Sequence, residues 1–403
     1  MKRKLYEKLL QHLPKKEFTI LTGARQTGKT TLLSGLRTYC QDQDIPQIFI
    51  NLENKAFLAE LDSNPLNLLA YLPTQDKKTV VFMDEIQYLS DPSNFLKLIY
   101  DDYSNLIKIV ASGSSAFYID KKFRDSLAGR KRIFHLMTCD FEDFLLLQGK
   151  EDLWQEVLRI KEQPQAKSLK IDLLRLEWES FMLYGGYPAV VTEPMVNEKI
   201  EVLKEIRDSF IKRDIIESGV QNEVVFYQLF QIMASQTGQL VNVNELSNTL
   251  KVRNETIQNY LEVMEKCFHL SLVKPFFANI RKELVKMPKG YLMDTGLRNS
   301  LINNFTPINQ RLDKGELWEQ TVFKMLAGRF GLDNIRFWRT ADGNEIDFIL
   351  PHENPPMAIE AKFDERMAKI KKYQLFQNNY PKFNFQFTTL HPWSEDFFRR
   401  IVW

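Results

Sequence analysis

Over the first 136 residues, short apolar runs alternate with stretches of helical spacing. Leu5, Leu9 and Leu10 share one helical face, and Pro14 stops that helix. Residues 18–22 form an apolar, β-rich run ending at Gly23, and similar runs recur at 47–52, 79–83 and 107–112. Helical segments separate the four, which is the order of βαβ units on a parallel sheet. An α/β domain is therefore predicted over residues 1–136.

The period then changes. From 137 to 235 the runs FEDFLLL, EDLWQEVLRI and LLRLEWESFMLY carry helical spacing, broken at Gly185-Gly186-Tyr187-Pro188, so this segment reads as an α-helical lid or linker. Residues 236–300 combine two short helices with strand-like pieces. From Lys314 a long amphipathic helix precedes three strand candidates, 335–340, 345–350 and 357–363, which predicts an α+β domain over 301–403.

Composition changes this picture little. At 403 residues, with 44% hydrophobic and 26% charged positions, the chain is globular and long enough for several cores. Lys and Arg (54) nearly balance Asp and Glu (52), so a nucleic-acid surface would have to be a local patch. Cys40, Cys139 and Cys267 are isolated, and with five scattered histidines they make no zinc pattern. No apolar stretch has the length of a signal peptide or membrane span, which leads to the expectation of a cytoplasmic protein without membrane contact.

Candidate chemistry begins at Gly23-Ala24-Arg25-Gln26-Thr27-Gly28-Lys29-Thr30, which matches G-x-x-x-x-G-K-[ST] between a strand and a helix that continues through Thr31. In that context backbone N–H groups and the helix N-terminus face the phosphates of ATP. Lys29 would bridge the β- and γ-phosphates, and the Thr30 hydroxyl would coordinate Mg²⁺. The strand 79–83 runs into Asp84 and Glu85, a Walker B pattern in which Asp84 completes the Mg²⁺ shell and Glu85 polarises the attacking water. Ser114, in the run Ser112-Gly113-Ser114-Ser115, is either a γ-phosphate sensor or part of a polar turn. Arg130 is either an arginine finger or a surface arginine.

GARQTGKTTLL, VVFMDEIQ, ASGSSA and SLAGR followed by DFEDFL resemble the AAA+-type P-loop ATPases of the archaeal/bacterial ATPase group. There the N-terminal module is joined to a C-terminal domain of unknown function, the DUF4143 type, to which the runs YGGYP (184–188) and YLMDTGL (291–297) are similar. The resemblance implies an AAA+ core, and relatives that form rings make a homo-oligomer an expectation.

Residues 242–250, a turn at 251–254 and a second helix over 255–267 suit a helix-turn-helix, and the strand-like pieces after it suit a winged variant. Between Lys251 and Lys289 there are eight Lys or Arg against four Glu. Arg253, Asn254 and Gln258 on the helix, with Arg281, Lys282 and Lys286 in the wing, are candidates for contact with nucleic acid, DNA above all. The same charged face also suits a protein partner.

In the last domain Glu345 and Asp347 share one face of a strand, and Glu360 and Lys362 share one face of the next. Asp347, Glu360 and the Ala361 carbonyl offer an oxygen shell for Mg²⁺, with Lys362 placed to orient water or stabilise a phosphodiester transition state. This D…ExK order is similar to the PD-(D/E)xK nuclease superfamily, although the proline before Asp347 is absent. The resemblance implies a restriction-endonuclease-like fold and a further acid from the preceding helix, Glu319 rather than Glu316. An edge strand showing Glu and Lys to solvent would look the same. The sequence thus predicts an ATPase coupled to a Mg²⁺-dependent nuclease or, alternatively, a nucleotide-dependent switch carrying a silent nuclease fold.

Overall fold

The computed structural model describes the chain except residues 1–2, 75–76, 114–126, 164, 166, 278–285, 396 and 398–403. The expected positions Ser114, Arg281 and Lys282 lie outside the described residues. The chain divides into two compact units, Met1–Met137 with Lys266–Phe268, and Thr138–Glu265 with His269–Trp403. Apart from Met137 and Lys266–Phe268, segments 137–235, 236–300 and 301–403 thus share the second unit.

In the first unit, α1 (Lys4–His12), β1 (Phe18–Thr22), α2 (Lys29–Asp42), β2 (Gln47–Asn51), α3 (Lys55–Ser63), β3 (Thr79–Asp84), α4 (Pro92–Tyr103), β4 (Ile107–Gly113) and β5 (Lys131–His135) follow in order. The sheet runs β2-β3-β4-β1-β5, parallel throughout. Its inner strands are buried on both faces, which is why β1, β3 and β4 are mostly apolar. Phe18, Ile20, Val81, Met83 and Ile109 pack one face, and Leu21, Leu33, Leu36, Phe82 and Val110 the other.

One charged group interrupts this core. Lys108 on β4 is 1% exposed, and its ammonium donates to the carbonyls of His12 (3.1 Å), Lys15 (3.1 Å) and Glu17, at the end of α1 and in the turn between it and β1. Three backbone acceptors for its N–H donors account for the placement. Beside it His12 Nδ1 lies 2.8 Å from Thr19 Oγ1, and burial, then the Lys108 charge, lower the His12 pKa to about 4. The fold therefore holds His12 neutral. That stabilisation is complete above the unfolded value near 6.5 and is lost as pH falls toward 4. After allowing for solvent screening, the loss is expected to be about 2 kcal/mol. Urea titrations followed by far-UV ellipticity at pH 7 and 4.5 should show it, and His12→Asn should flatten that part of the decline.

The second unit begins with helices α5 (Phe141–Leu147), α6 (Glu151–Glu162), α7 (Ile171–Tyr184), α8 (Pro188–Thr192), α9 (Val196–Glu205), α10 (Ile211–Ser218) and α11 (Glu223–Ser235). Next come α12 (Val243–Leu250) and α13 (Asn254–Lys266), joined through Lys251 in a left-handed conformation. The antiparallel pair β6 (Leu270–Pro275) and β7 (Lys289–Leu292) follows, and Leu240 forms an isolated bridge to Lys289. The chain closes with α14 (Thr295–Leu301), α15 (Lys314–Phe330), β8 (Arg336–Arg339), β9 (Glu345–Leu350), β10 (Met357–Asp364), α16 (Gln374–Asn379) and β11 (Asn384–His391).

Six strands form one mixed sheet, β11-β10-β9-β8-β6-β7, because β6 pairs with β7 through its first half and with β8 through Lys274 and Pro275. The helix predicted to be amphipathic, α15, is buried nearly all round from Leu317 to Ala327, since β7, β10, α7 and α14 all pack on it. Among the described residues no helix is long and apolar enough to cross a membrane.

Candidate functional site

At the C-terminal edge of the first sheet, β1 gives way to the loop Gly23–Gly28 and then to α2. Gly28 takes φ 96°, which turns the chain directly into the helix. Ala24, Arg25, Thr27 and Lys29 are buried, Gln26 is exposed at φ 59°, and Thr30 and Thr31 face outward in the first turn. Thr27 Oγ1 donates to the Ala24 carbonyl (2.9 Å) and fixes the loop. Lys29 Nζ curls over it, donating to the carbonyls of Gly23 (2.9 Å) and Ala24 (2.8 Å).

The Walker B residues meet this loop. Thr30 Oγ1 donates to Asp84 Oδ2 at 2.8 Å, so a hydroxyl and a carboxylate oxygen are juxtaposed, hard donors that fit Mg²⁺. Ser112 on β4 donates to Asp84 Oδ1, and its Oγ accepts the N–H of Glu85 at 3.2 Å. Glu85 stands just past β3 in a left-handed conformation, and Gln87 Nε2 donates to its carboxylate. Gln87 is a neighbour of Glu85 that sequence reasoning did not single out, and Ser112 entered there only within the run Ser112-Gly113-Ser114-Ser115, with no link to Asp84. Ser112 reaches Asp84 only because β3 and β4 are neighbours, and Gln87 had no signal beyond lying two positions after Glu85.

Arg130 is elsewhere. Its carbonyl accepts the N–H of Phe18, the first residue of β1, while the loop follows the last. A five-residue strand, about 17 Å, separates them, which places Arg130 far from the loop of its own chain. Its guanidinium instead grips Asp101 on α4 (Nε–Oδ1 2.6 Å, Nη2–Oδ2 3.2 Å).

In the second unit, β9 and β10 are antiparallel and bring the D…ExK residues together. The Asp347 N–H donates to Glu360 Oε2 (3.2 Å), the Ala361 N–H donates to Asp347 Oδ2 (3.0 Å), and Lys362 Nζ bonds Glu360 and lies 3.9 Å from Asp347. Glu319 from α15 lies beside this pair, sharing the Lys289 ammonium with Asp347. Tyr373 donates to Glu360 (2.7 Å) and Tyr291 to Glu319 (2.6 Å). Burial, then repulsion from Asp347, raises both Glu319 and Glu360 to about 7.

Glu319, Asp347 and Glu360 were the expected metal set. Among the described residues no group of three or more acidic, His or Cys side chains is arranged to hold a metal ion. A side chain missed in the sequence explains why. Lys289 of β7 is 2% exposed, and its ammonium lies 2.6 Å from Glu345, 3.3 Å from Glu319 and 3.5 Å from Asp347. Burial opposes its charge, but Glu319, Asp347 and Glu345 outweigh that and raise its pKa. A residue 30 positions before Glu319 and 56 before Glu345 carried no local signal.

Of the basic candidates, Arg253, Asn254 and Gln258 are exposed at the start of α13, and Lys286 is exposed ahead of β7. Asn254 Nδ2 donates to Asn244 Oδ1 at 2.6 Å, tying the two helices of the turn.

The first sheet and its loop define a P-loop nucleotide-binding fold. Residues 15–145 match the AAA domain family, residues 175–307 match a domain of unknown function (DUF8612), and residues 314–398 match a second one (DUF4143). Among similar proteins, an uncharacterized protein of Haemophilus influenzae is 25% identical over 392 residues, covering 93% of this chain and 90% of its own. One from Methanocaldococcus jannaschii is 26% identical over 366 residues, covering 88% and 77%. The Holliday junction branch migration motor RuvB of Thermotoga maritima aligns at TM-score 0.30 and 16% identity, covering 67% of this chain and 89% of that one. AMPPCP-bound DnaA from Aquifex aeolicus aligns at TM-score 0.31 and 14% identity, covering 65% and 87%. Likenesses that loose assign no function.

Proposed function

We propose that the chain is an ATP-hydrolysing switch whose nucleotide state governs how its second unit recognises nucleic acid. The observation that carries the ATPase half is the hydrogen-bonded set Thr30–Asp84–Ser112–Glu85 beside the Lys29 loop. Thr30 and Asp84 would hold Mg²⁺, which would supply positive charge to the terminal phosphates. Lys29 exchanges the Gly23 and Ala24 carbonyls for phosphate oxygens, and the first-turn N–H groups of α2 face the same anion. Glu85 then takes a proton from the attacking water. Arg130 leaves Asp101 to complete the site of a second copy, which makes the active form a homo-oligomer.

For the second unit we read α12–α13 with β6–β7 as a winged helix that meets DNA through Arg253, Gln258 and Lys286. α15 with β8–β11 is read as a nuclease-like fold that binds without cutting, because a lysine lies among its carboxylates. Cleavage by Asp347, Glu360 and Lys362 is the second reading, favoured by their convergence on β9 and β10.

Three assays on the purified full chain test this. ATP turnover in Mg²⁺ should rise per subunit with protein concentration and fall at least a hundredfold in Lys29→Ala. Arg130→Ala should lose turnover but keep ATP affinity. Labelled DNA should bind with an ATP-dependent affinity that weakens steeply with salt, and it should stay intact in Mg²⁺ or Mn²⁺. Cleavage abolished by Lys362→Ala would install the nuclease reading instead, and absence of turnover at any concentration would end the ATPase reading.

A further inference from the structure

We infer that Lys289 is a tethered cation standing between Glu319 and Asp347, two of the acids expected to hold a divalent ion in the second unit, and that it closes this site to metal. The inference rests on the nuclease-like reading of that fold and concerns its cation position alone.

The placement is specific. Lys289 is the first residue of β7, and its backbone is held from both sides, by Val273 of β6 and by the isolated bridge to Leu240. The side chain is therefore aimed from a fixed strand, and its stem lies over the Phe337 ring with Nζ 5.6 Å from the ring centre. An ammonium has three N–H donors, and here three carboxylates on two elements, Glu319 of α15 with Glu345 and Asp347 of β9, lie within 3.5 Å of it. Nothing else in the cluster needs that position filled by a lysine. Glu360 has Lys362 and Tyr373, and the second oxygen of Glu345 has Arg339 at 2.7 Å.

Charge tells the same story. Glu319, Glu345, Asp347 and Glu360 face Lys289, Lys362 and Arg339, so four carboxylates meet three cations before any ion is added. With one net negative charge, the cluster offers little attraction to a divalent ion. The geometry excludes it as well. Mg²⁺ requires oxygens at about 2.1 Å in an octahedral shell, and an ammonium within 3.5 Å of Glu319 and Asp347, two of the three acids expected to supply them, crowds that space and repels the charge. Burial of a charged group is otherwise unfavourable, so a lysine held here has to be matched by acids, and these acids are the matching partners.

The test uses nucleotide-free full-length protein and Mn²⁺ as the probe, with bound Mn²⁺ counted by electron paramagnetic resonance. Wild type should show no Mn²⁺ binding that is sensitive to Asp347→Asn. Lys289→Ala and Lys289→Ser should each gain one equivalent of Mn²⁺, at least tenfold tighter than any wild-type binding, and lose it again when Asp347→Asn is added. Mn²⁺ should also raise the melting temperature of Lys289→Ala more than that of wild type, because it replaces the missing counter-charge. Wild-type binding abolished by Asp347→Asn overturns the inference, and so does a folded Lys289→Ala or Lys289→Ser that gains no Mn²⁺. If neither variant folds, the wild type and Asp347→Asn pair alone decides it. Binding of a fluorescent ATP analogue, followed in every variant, keeps the fate of the ATPase reading separate.

Discussion

Replacing Glu85 with glutamine is expected to slow ATP turnover by about 10²–10⁴-fold while ATP affinity stays within a few-fold of wild type. The asymmetry follows from what the side chain touches. Glu85 contributes nothing to the loop that grips the phosphates, and Asp84, bonded to Thr30 and Ser112, keeps its own place. Glu85 sits one residue beyond the strand at φ 59° and ψ 49°, a conformation that costs a non-glycine residue about 1 kcal/mol or more. It is held there by its N–H to Ser112 and by the Gln87 amide on its carboxylate. Glutamine preserves size and backbone but removes the basic oxygen. Single-turnover hydrolysis measured beside equilibrium binding of a fluorescent ATP analogue separates the two effects. Turnover within tenfold of wild type would mean that another group accepts the proton.

How much of this was legible depends on how far apart the partners lie in the chain. The P-loop is a contiguous strand–turn–helix, so one stretch of sequence carries both its chemistry and its context. The inner strands β1, β3 and β4 were legible because burial on both faces favours mostly apolar runs, and the edge strand β2 because Ile48, Phe49 and Ile50 follow one another. β5 was missed because it is an edge strand whose residues KRIFH are mostly exposed, so no core pattern marks it. β11 was missed although NFQFTTLH alternates, since it follows a run of short helical turns that hides the period. Contacts between elements were beyond reach. The Asp84–Ser112 bond needs the strand order, the Arg130–Asp101 pair needs the packing of α4, and Lys289 needs β6 to be shared by two halves of one sheet.

The YGGYP and MDTGL runs show the same limit from the other side, since each was conspicuous in sequence and neither suggested a chemical role. In the structure they interlock. Asp294, 2% exposed, caps α14 by accepting the N–H groups of Gly296 (2.9 Å) and Leu297 (3.1 Å) on Oδ1. Its Oδ2 accepts the Gly186 N–H (2.9 Å) and the Lys324 ammonium (2.7 Å). Glycine is required where the runs cross. A Cβ on Gly296 would lie 2.0 Å from the Tyr184 carbonyl oxygen, and one on Gly186 would lie 2.1 Å from that of Cys139. Asp294→Ala should therefore cost about 3–5 kcal/mol, the range for stranding one partner of a buried ion pair, and lower the melting temperature of the second unit by many degrees. Lys324 would be left with Thr138 as its hydrogen-bond acceptor and the Phe181 ring beneath it. If the ion pair is the cause, Asp294→Ala with Lys324→Met should be less destabilised than the sum of the single changes. Strict additivity would assign the loss to the helix cap and the Gly186 bond alone. Either way ATP binding by the first unit should persist at temperatures where tryptophan fluorescence reports the second unit unfolded, because all six tryptophans lie after residue 150.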